Sequence, residues 1–344
     1  MTLDRREFLR LAGSAVAAPA VLRVGRAQAA ERLKLHHFLP PVANAHVNLL
    51  EPWAKKVEKD SGGALRIRIY PSMQLGGTPQ QLYDQARDGV ADIVWTLPGY
   101  TAGRFPRLEV FELPFVAARQ GVVNARAVQE FAAGEAQGEL QEVHLLCAWA
   151  NNQGVIHGRR RIQNQADLRG LKIRFPTRLS GEALKALGAS PIGMPAPQIP
   201  ESLAQGVLDA TLLPWEVVPS LKVHELVDHH TEFPGAPTFQ TSTHLLVMNR
   251  ARYEGLPAEL RQVLDANSGM ELATKAGTSW DTAGAVARKL AQERGNTVAT
   301  LGEAEVARWR EATRPVVDTW ITATPNGVQL LAQAQALIAK HGQA

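Results

Sequence analysis

Apolar and polar residues alternate strictly along Leu65-Arg66-Ile67-Arg68-Ile69-Tyr70, the signature of a half-buried strand, and Pro71 stops it. Leu33-Lys34-Leu35-His36-His37-Phe38 is an earlier strand, stopped by Pro40-Pro41. Between the two, Leu49, Leu50, Trp53 and Val57 fall near helical spacing, which predicts an amphipathic helix over 44–59, ended by Ser61-Gly62-Gly63. Strand, helix, strand in that order seeds a parallel sheet and an α/β fold. The rhythm then repeats. Strands are predicted at 91–96, 143–149, 170–177 and 208–215, and helices at 79–88, 121–131, 180–187 and 198–205, with a short extended piece at 191–195. A long extended stretch at 238–249 buries Leu245, Leu246, Val247 and Met248. Beyond Pro257 the pattern is helical to the end, and the proline-free run 271–294 reads as one long helix.

In Gly170-Leu171-Lys172-Ile173-Arg174-Phe175-Pro176-Thr177 the alternation puts Lys172, Arg174 and Thr177 apart from Leu171, Ile173 and Phe175. An arginine at the carboxyl end of an α/β strand stands where such sheets open into their ligand crevice. There it can form a bidentate, charge-assisted pair with a carboxylate. An exposed, merely solvated strand arginine is the plainer alternative.

Export chemistry precedes the fold. Arg5-Arg6-Glu7-Phe8-Leu9, an apolar run over 11–22 and Ala27-Gln28-Ala29 make a signal peptide over 1–29 of the twin-arginine type, leaving a mature chain that starts near Ala30. A cytosolic amphipathic first helix is the competing reading. The leader carries five arginines against Asp4 and Glu7, so it accounts for three of the four net positive charges. The high pI is therefore no argument for nucleic acid. No other apolar run approaches the ~20 residues of a membrane helix. The lone Cys147 excludes an internal disulfide. A periplasmic protein that is not inserted in the membrane is expected.

Catalytic motifs are missing. There is no Gly-x-Ser-x-Gly elbow, no His-Glu-x-x-His, no phosphate-binding glycine loop, and Cys147 sits within an apolar strand. The adjacent pairs His36-His37 and His229-His230 point to opposite faces of a strand and cannot chelate alone. What recurs instead is a ring or planar polar group near strand ends: Phe38, Trp95, Trp149 with Asn151, Arg174 with Thr177, and Trp215 with Glu216. Each tryptophan alone serves as readily as core filler. Three at such positions suit a mostly apolar pocket for a small organic anion.

The runs 168–176, Ala186-Leu187-Gly188-Ala189-Ser190-Pro191, Met194-Pro195, Leu203-Ala204-Gln205-Gly206-Val207-Leu208-Asp209-Ala210, Asn249 and Leu256-Pro257-Ala258-Glu259-Leu260 resemble the DctP-type solute receptors of tripartite ATP-independent periplasmic (TRAP) transporters. Upstream, 63–70, Leu75-Gly76 and 89–93 fit the same pattern, so the resemblance covers essentially the whole mature chain. It implies a two-lobe periplasmic binding protein fold with crossing strands and a long lobe-spanning C-terminal helix. The expected division is 30–153 with about 244–283 in lobe I, and 154–243 with about 284–344 in lobe II. It also implies that Arg174 binds a ligand carboxylate and that the partner is a TRAP permease, with the receptor a monomer or weak dimer.

Two departures narrow the ligand. No arginine stands near Gly154-Val155, where many relatives carry a second one, and Leu212-Leu213-Pro214 replaces a frequent Glu-Asn-Pro. A second buried carboxylate would lack its partner, at a cost of several kcal/mol. The expected ligand is a monocarboxylate with an apolar or aromatic remainder. Arg174, Trp95, Trp149, Trp215, Asn151, Phe38, Thr177, Gln153, Glu216 and Phe239 are its candidate contacts. Arg104 is read as a lobe-surface arginine, though it is the remaining candidate for a second cation. Some relatives hold a cation beside the ligand. Gln153 and Glu216 are oxygen donors that would suit sodium or calcium, and backbone hydrogen bonds explain them equally well. A C4-dicarboxylate receptor, a ligand-responsive signalling receptor and a twin-arginine-exported enzyme are the rival functions.

Overall fold

The computed structural model describes residues 30–343, so the signal peptide expected over 1–29 lies outside the described residues. The chain runs β1 (Glu31–His36), α1 (Glu51–Asp60), β2 (Leu65–Tyr70), α2 (Leu82–Arg87), β3 (Ile93–Thr96), α3 (Gly121–Gly134), β4 (Val143–Ala150) and β5 (Val155–Gly158). It continues through β6 (Lys172–Phe175), α4 (Arg178–Ala186), β7 (Ser190–Gly193), α5 (Ile199–Ala204), β8 (Ala210–Leu213), α6 (Val223–Leu226), β9 (His229–Glu232) and β10 (Thr243–Asn249). Helices α7 (Arg250–Glu254), α8 (Ala258–Ala266) and α9 (Gly269–Glu293) follow, then β11 (Thr297–Thr300), α10 (Glu303–Ala323) and α11 (Gly327–Gly342).

Two sheets form, one per lobe. The first has the order β2-β1-β3-β10-β4 and the second β11-β9-β5-β8-β6-β7. In the first, β1 pairs in parallel with β2 and β3, while β10 runs antiparallel between β3 and β4. Leu245 to Met248 of β10 are fully buried, as a central strand covered on both faces requires. The chain passes to the second sheet between β4 and β5 and returns between β9 and β10. The two passages are bonded to each other: Gly154 N–H donates to Gln240 O (2.8 Å), and Ser242 N–H donates to Asn151 Oδ1 (2.8 Å).

Helix α9 is the 25-residue helix expected from the proline-free run, and it touches both lobes. On the first, the Asp281 carboxylate accepts from Gly121 N (2.7 Å) and Val122 N (3.0 Å), satisfying open donors at the start of α3. On the second, Arg288 Nε pairs with Glu232 at 2.9 Å. Three strands escaped the hydrophobic pattern. β5, β9 and the edge strand β11 are four residues each, and their pairing with one another through β9 gives them their strand character. The end of the chain also corrects an expectation. Helix α11 packs on α3 rather than on the second lobe. Helix α10 carries the chain there: Trp309 packs on Phe233 of the second lobe, and Trp320 Nε1 donates to Pro106 O of the first.

Candidate functional site

The strand ends of both sheets meet at one partly open cavity. Phe38 and Leu39 follow β1, Leu97 and Tyr100 follow β3, Pro176 follows β6, and Pro214, Glu216 and Val217 follow β8. Trp95, Asn151, Arg174, Ala196, Leu213, Ser242 and His244 complete the lining. Carboxyl ends of strands are where open α/β sheets leave a crevice, because the chain turns away there to left and right.

Arg174 is 1 % exposed, so it is not the solvated arginine that its alternation with Lys172 allowed. Lys172, on the same face, is exposed. The strand's last residues are roofed by the loop after β3, and that cover is not encoded in the period-2 pattern. Its Nε donates to Met194 O (2.9 Å) and its Nη1 to Leu212 O (3.0 Å). These two bonds fix the plane of the guanidinium and leave other donors for the cavity. Burial pushes the guanidinium down from its ordinary value and Tyr100 beside it pushes it up, and among the described residues no carboxylate pairs with it. An arginine cannot shed its charge at neutral pH, so the cation lies buried without a counter-ion.

The opposite wall is aromatic. Trp95 is 4.8 Å from Phe38 between ring centres, and Phe38 is 5.5 Å edge-on from Tyr100. Trp149 does not reach the cavity. It is fully buried behind it, stacked on Trp95 at 6.3 Å and on His244 at 5.2 Å. Burial pushes the His244 imidazole down to about 3, so the ring is neutral.

Of the other expected contacts, Asn151 and Glu216 line the cavity. Trp215 does not. The turn 215–217 sends its indole into the second lobe, where Nε1 donates to Glu232 Oε1 (2.8 Å) and the ring packs on His157 and His230. Glu216, one residue on, points inward instead. Thr177 caps α4 through Ser180 and lies behind the lining. Phe239 belongs to the core of the second lobe, among Phe115, Phe233 and Trp309. Gln153 is engaged outside the cavity: its amide oxygen accepts from Arg119 Nε (3.2 Å), and its nitrogen donates to Phe233 O (3.2 Å). Gln153 and Glu216 therefore do not converge on one cation position. Among the described residues no three His, Cys, Asp or Glu side chains converge as metal ligands. Arg104 pairs with Asp84 (2.7 Å) and Glu142 (3.0 Å) on the first lobe, away from the cavity. At Gly154 itself a side chain is crowded: a Cβ would collide with the Gln240 side chain and stand 3.2 Å from its carbonyl.

Tyr100 and His244 are cavity residues that the sequence reading passed over. The only signals for them were a tyrosine in the loop after a strand ending in Trp95-Thr96, and a single histidine opening an apolar run.

The lobes touch beside the cavity. Tyr100 OH accepts from Ala196 N (3.1 Å), and Arg178 Nη2 pairs with Glu109 at 2.5 Å. At Gly99 a Cβ would stand 2.9 Å from Thr177 Cβ, so this approach of the lobes needs a glycine. Glu112 lies beneath the contact, its carboxyl pushed up to about 8 by burial against the hydrogen bonds from Thr243.

The profile of the bacterial extracellular solute-binding protein family 7, DctP, matches residues 35–323. The chain belongs to this family. A TRAP solute-binding protein of Rhodoferax ferrireducens T118, solved with copurified benzoate, is 43 % identical, with a TM-score of 0.88 over 91 % of this chain and 98 % of that one. A marine metagenome TRAP solute-binding protein solved with 3-hydroxybenzoate is 41 % identical, with a TM-score of 0.89 over 91 % of this chain and 99 % of its own. The 2,3-diketo-L-gulonate-binding periplasmic protein of Escherichia coli K12 is 28 % identical over 218 residues, which span 60 % of this chain and 63 % of that protein. The DctP chain described here is thus a solute receptor of the TRAP class and not an enzyme. Its two sheets, crossing passages and long α9 are the two-lobe fold of that class.

Proposed function

We propose that this protein is a periplasmic receptor that captures a small aromatic monocarboxylate between its lobes and delivers it to a TRAP permease, after export by the twin-arginine route. The observation that carries the reading is Arg174, buried with no carboxylate beside it in a cavity whose other wall is Trp95 and Phe38. A ligand carboxylate supplies the missing counter-ion. Arg174 is the single Lys or Arg of the lining, and Leu213, Pro214 and Val217 make the adjoining wall apolar. A C4-dicarboxylate would bury its second charge there unpaired. The benzoate and 3-hydroxybenzoate found in the two similar receptors have the expected chemistry.

Capture follows from the geometry. In an open cleft the carboxylate pairs with Arg174, and the Trp95 wall closes on the ring. Closure removes water and strengthens the pair. The ligand shifts the lobes only because both contribute contacts in the closed form. Asn151 and Ser242, which bond to each other across the two passages, are polar lining beside the hinge.

The test is mass spectrometry of the ligand that copurifies with the protein, followed by calorimetry with benzoate, mandelate, pyroglutamate and succinate. An aromatic acid is expected in both. A preference for succinate over every monocarboxylate would reject the reading.

A further inference from the structure

Among the described residues two buried polar atoms of the cavity lining, Glu216 Oε2 and His244 Nε2, form no hydrogen bond, and the one protein donor beside the Glu216 carboxyl is the indole N–H of Trp280. Both side chains line the same cavity as Arg174, and both residues are more than nine-tenths buried. Buried polar groups in folded proteins are nearly always satisfied, so an unpartnered pair facing one cavity needs an occupant.

Their position separates them from the guanidinium. Tyr100, beside Arg174, also borders the groove between 99–102 and 175–195. Glu216 also borders a different groove, along α9 between Asn44 and Thr282. The two ends of the cavity therefore carry different chemistry. His244 and Glu216 share Trp280 as a neighbour, the His244 ring lying 5.6 Å from the indole.

The tautomer of His244 is decided by its neighbour. Trp95 Nε1 lies 3.3 Å from His244 Nδ1, and an indole N–H can only donate. Nδ1 is therefore the acceptor, and the proton of the neutral ring sits on Nε2. That atom is a donor aimed at no protein group. Burial pushes the Glu216 carboxyl up to about 8, which keeps a second charge out of the cavity at neutral pH, and with the proton on Oε1 its Oε2 is an acceptor.

We propose that Glu216 and His244 form a hydroxyl-binding subsite, in which the ring hydroxyl of an aromatic acid held on Arg174 accepts from His244 Nε2 and donates to Glu216 Oε2. A hydroxyl is the small group that both accepts and donates through one atom. An ammonium group would leave the His244 donor unanswered, and a second carboxylate would find no cation there, Arg174 being the one Lys or Arg of the lining. This assignment rests on the carboxylate reading of Arg174.

Calorimetric titration with benzoate, 3-hydroxybenzoate and 4-hydroxybenzoate tests it on the wild type, Glu216→Leu, Glu216→Gln and His244→Phe. Wild type is expected to bind at least one hydroxybenzoate about tenfold or more tighter than benzoate. In Glu216→Leu and in His244→Phe that ratio falls to within about threefold of one. Glu216→Gln retains an acceptor and a donor of the same size, and so keeps part of the ratio. This also holds the test open should His244→Phe fail to fold. Benzoate binding with a flat ratio in wild type, as an ordered water filling the subsite would give, overturns the subsite alone. A ratio that survives in Glu216→Leu does the same. Failure of all three acids to bind wild type overturns the Arg174 reading and the subsite with it.

Discussion

The two walls of the cavity solve burial in opposite ways. On the first lobe the buried imidazoles and the Glu112 carboxyl near the site can become neutral. His244 is pushed down to about 3, His37 to about 3, and Glu112 is pushed up to about 8, so at neutral pH none needs a partner for a full charge. On the second lobe Arg174 has no such escape, because a guanidinium stays protonated throughout the working range. These groups of the first wall need no counter-ion. The second wall is complete only with an anion from outside. Affinity should therefore be unequally divided, with the charge term on the second lobe and the contact area on the first.

The sharpest way to break this comparison is Arg174→Met. Loss of the cation should weaken benzoate binding at least a hundredfold, about 3 kcal/mol, in calorimetry. The ligand-free protein should melt no lower than wild type, since a buried charge is exchanged for an apolar chain of similar length. A variant that kept its affinity would remove the distinction between the walls.

Next is the pair Trp95→Ala and Trp149→Phe. Trp95 faces the cavity and Trp149 lies behind it. The first change should cost about tenfold or more in affinity from lost ring contact. The second should lower the melting temperature while moving Kd by less than about threefold. Equal effects on Kd would mean that the aromatic layer acts as one unit.

The neutral state of the first wall is tested by pH. The fold favours the protonated Glu112 carboxyl, so the stability tied to it is full below the ordinary carboxylate range and is lost as pH rises through about 8. Glu112→Gln should therefore lose less melting temperature between pH 6 and pH 9 than wild type, by at least about 2 °C. Parallel curves would mean that Glu112 is ionised in the fold.

The smallest expected effect is at the lobe contact. Arg178 is 36 % exposed in its side chain, so its 2.5 Å pair with Glu109 is partly screened. Arg178→Ala should weaken binding only about two- to fivefold, or up to ~1 kcal/mol, and the difference should shrink in high salt. A loss as large as that of Arg174→Met would shift the weight from the clamp to the latch.

Much of the fold was legible because it rests on local pattern. Strict alternation marked β2, the apolar run marked β10, and the absence of proline marked α9. The short polar strands β9 and β11 were not legible, because their register comes from a neighbour in space. The site divides along the same line. Arg174, Trp95, Phe38, Asn151 and Glu216 were found by their nearness to strand ends, which is a property of sequence position. Trp215 and Trp149 were placed in the same set by the same rule, yet one turns to Glu232 and the other is covered by Trp95.

By itself, the sequence determined most of the strands, that they alternate with helices, and that Arg174 stands at a strand's carboxyl end. Those are consequences of side-chain periodicity and of where prolines and glycines stop an element. Only the tertiary structure decided that Arg174 is roofed by Tyr100 and left without a counter-ion, and that Glu216 rather than Trp215 faces the cavity. Period-2 alternation tells which face a side chain takes. What covers that face comes from segments far away in the chain, here the loop after β3 and the helix α9.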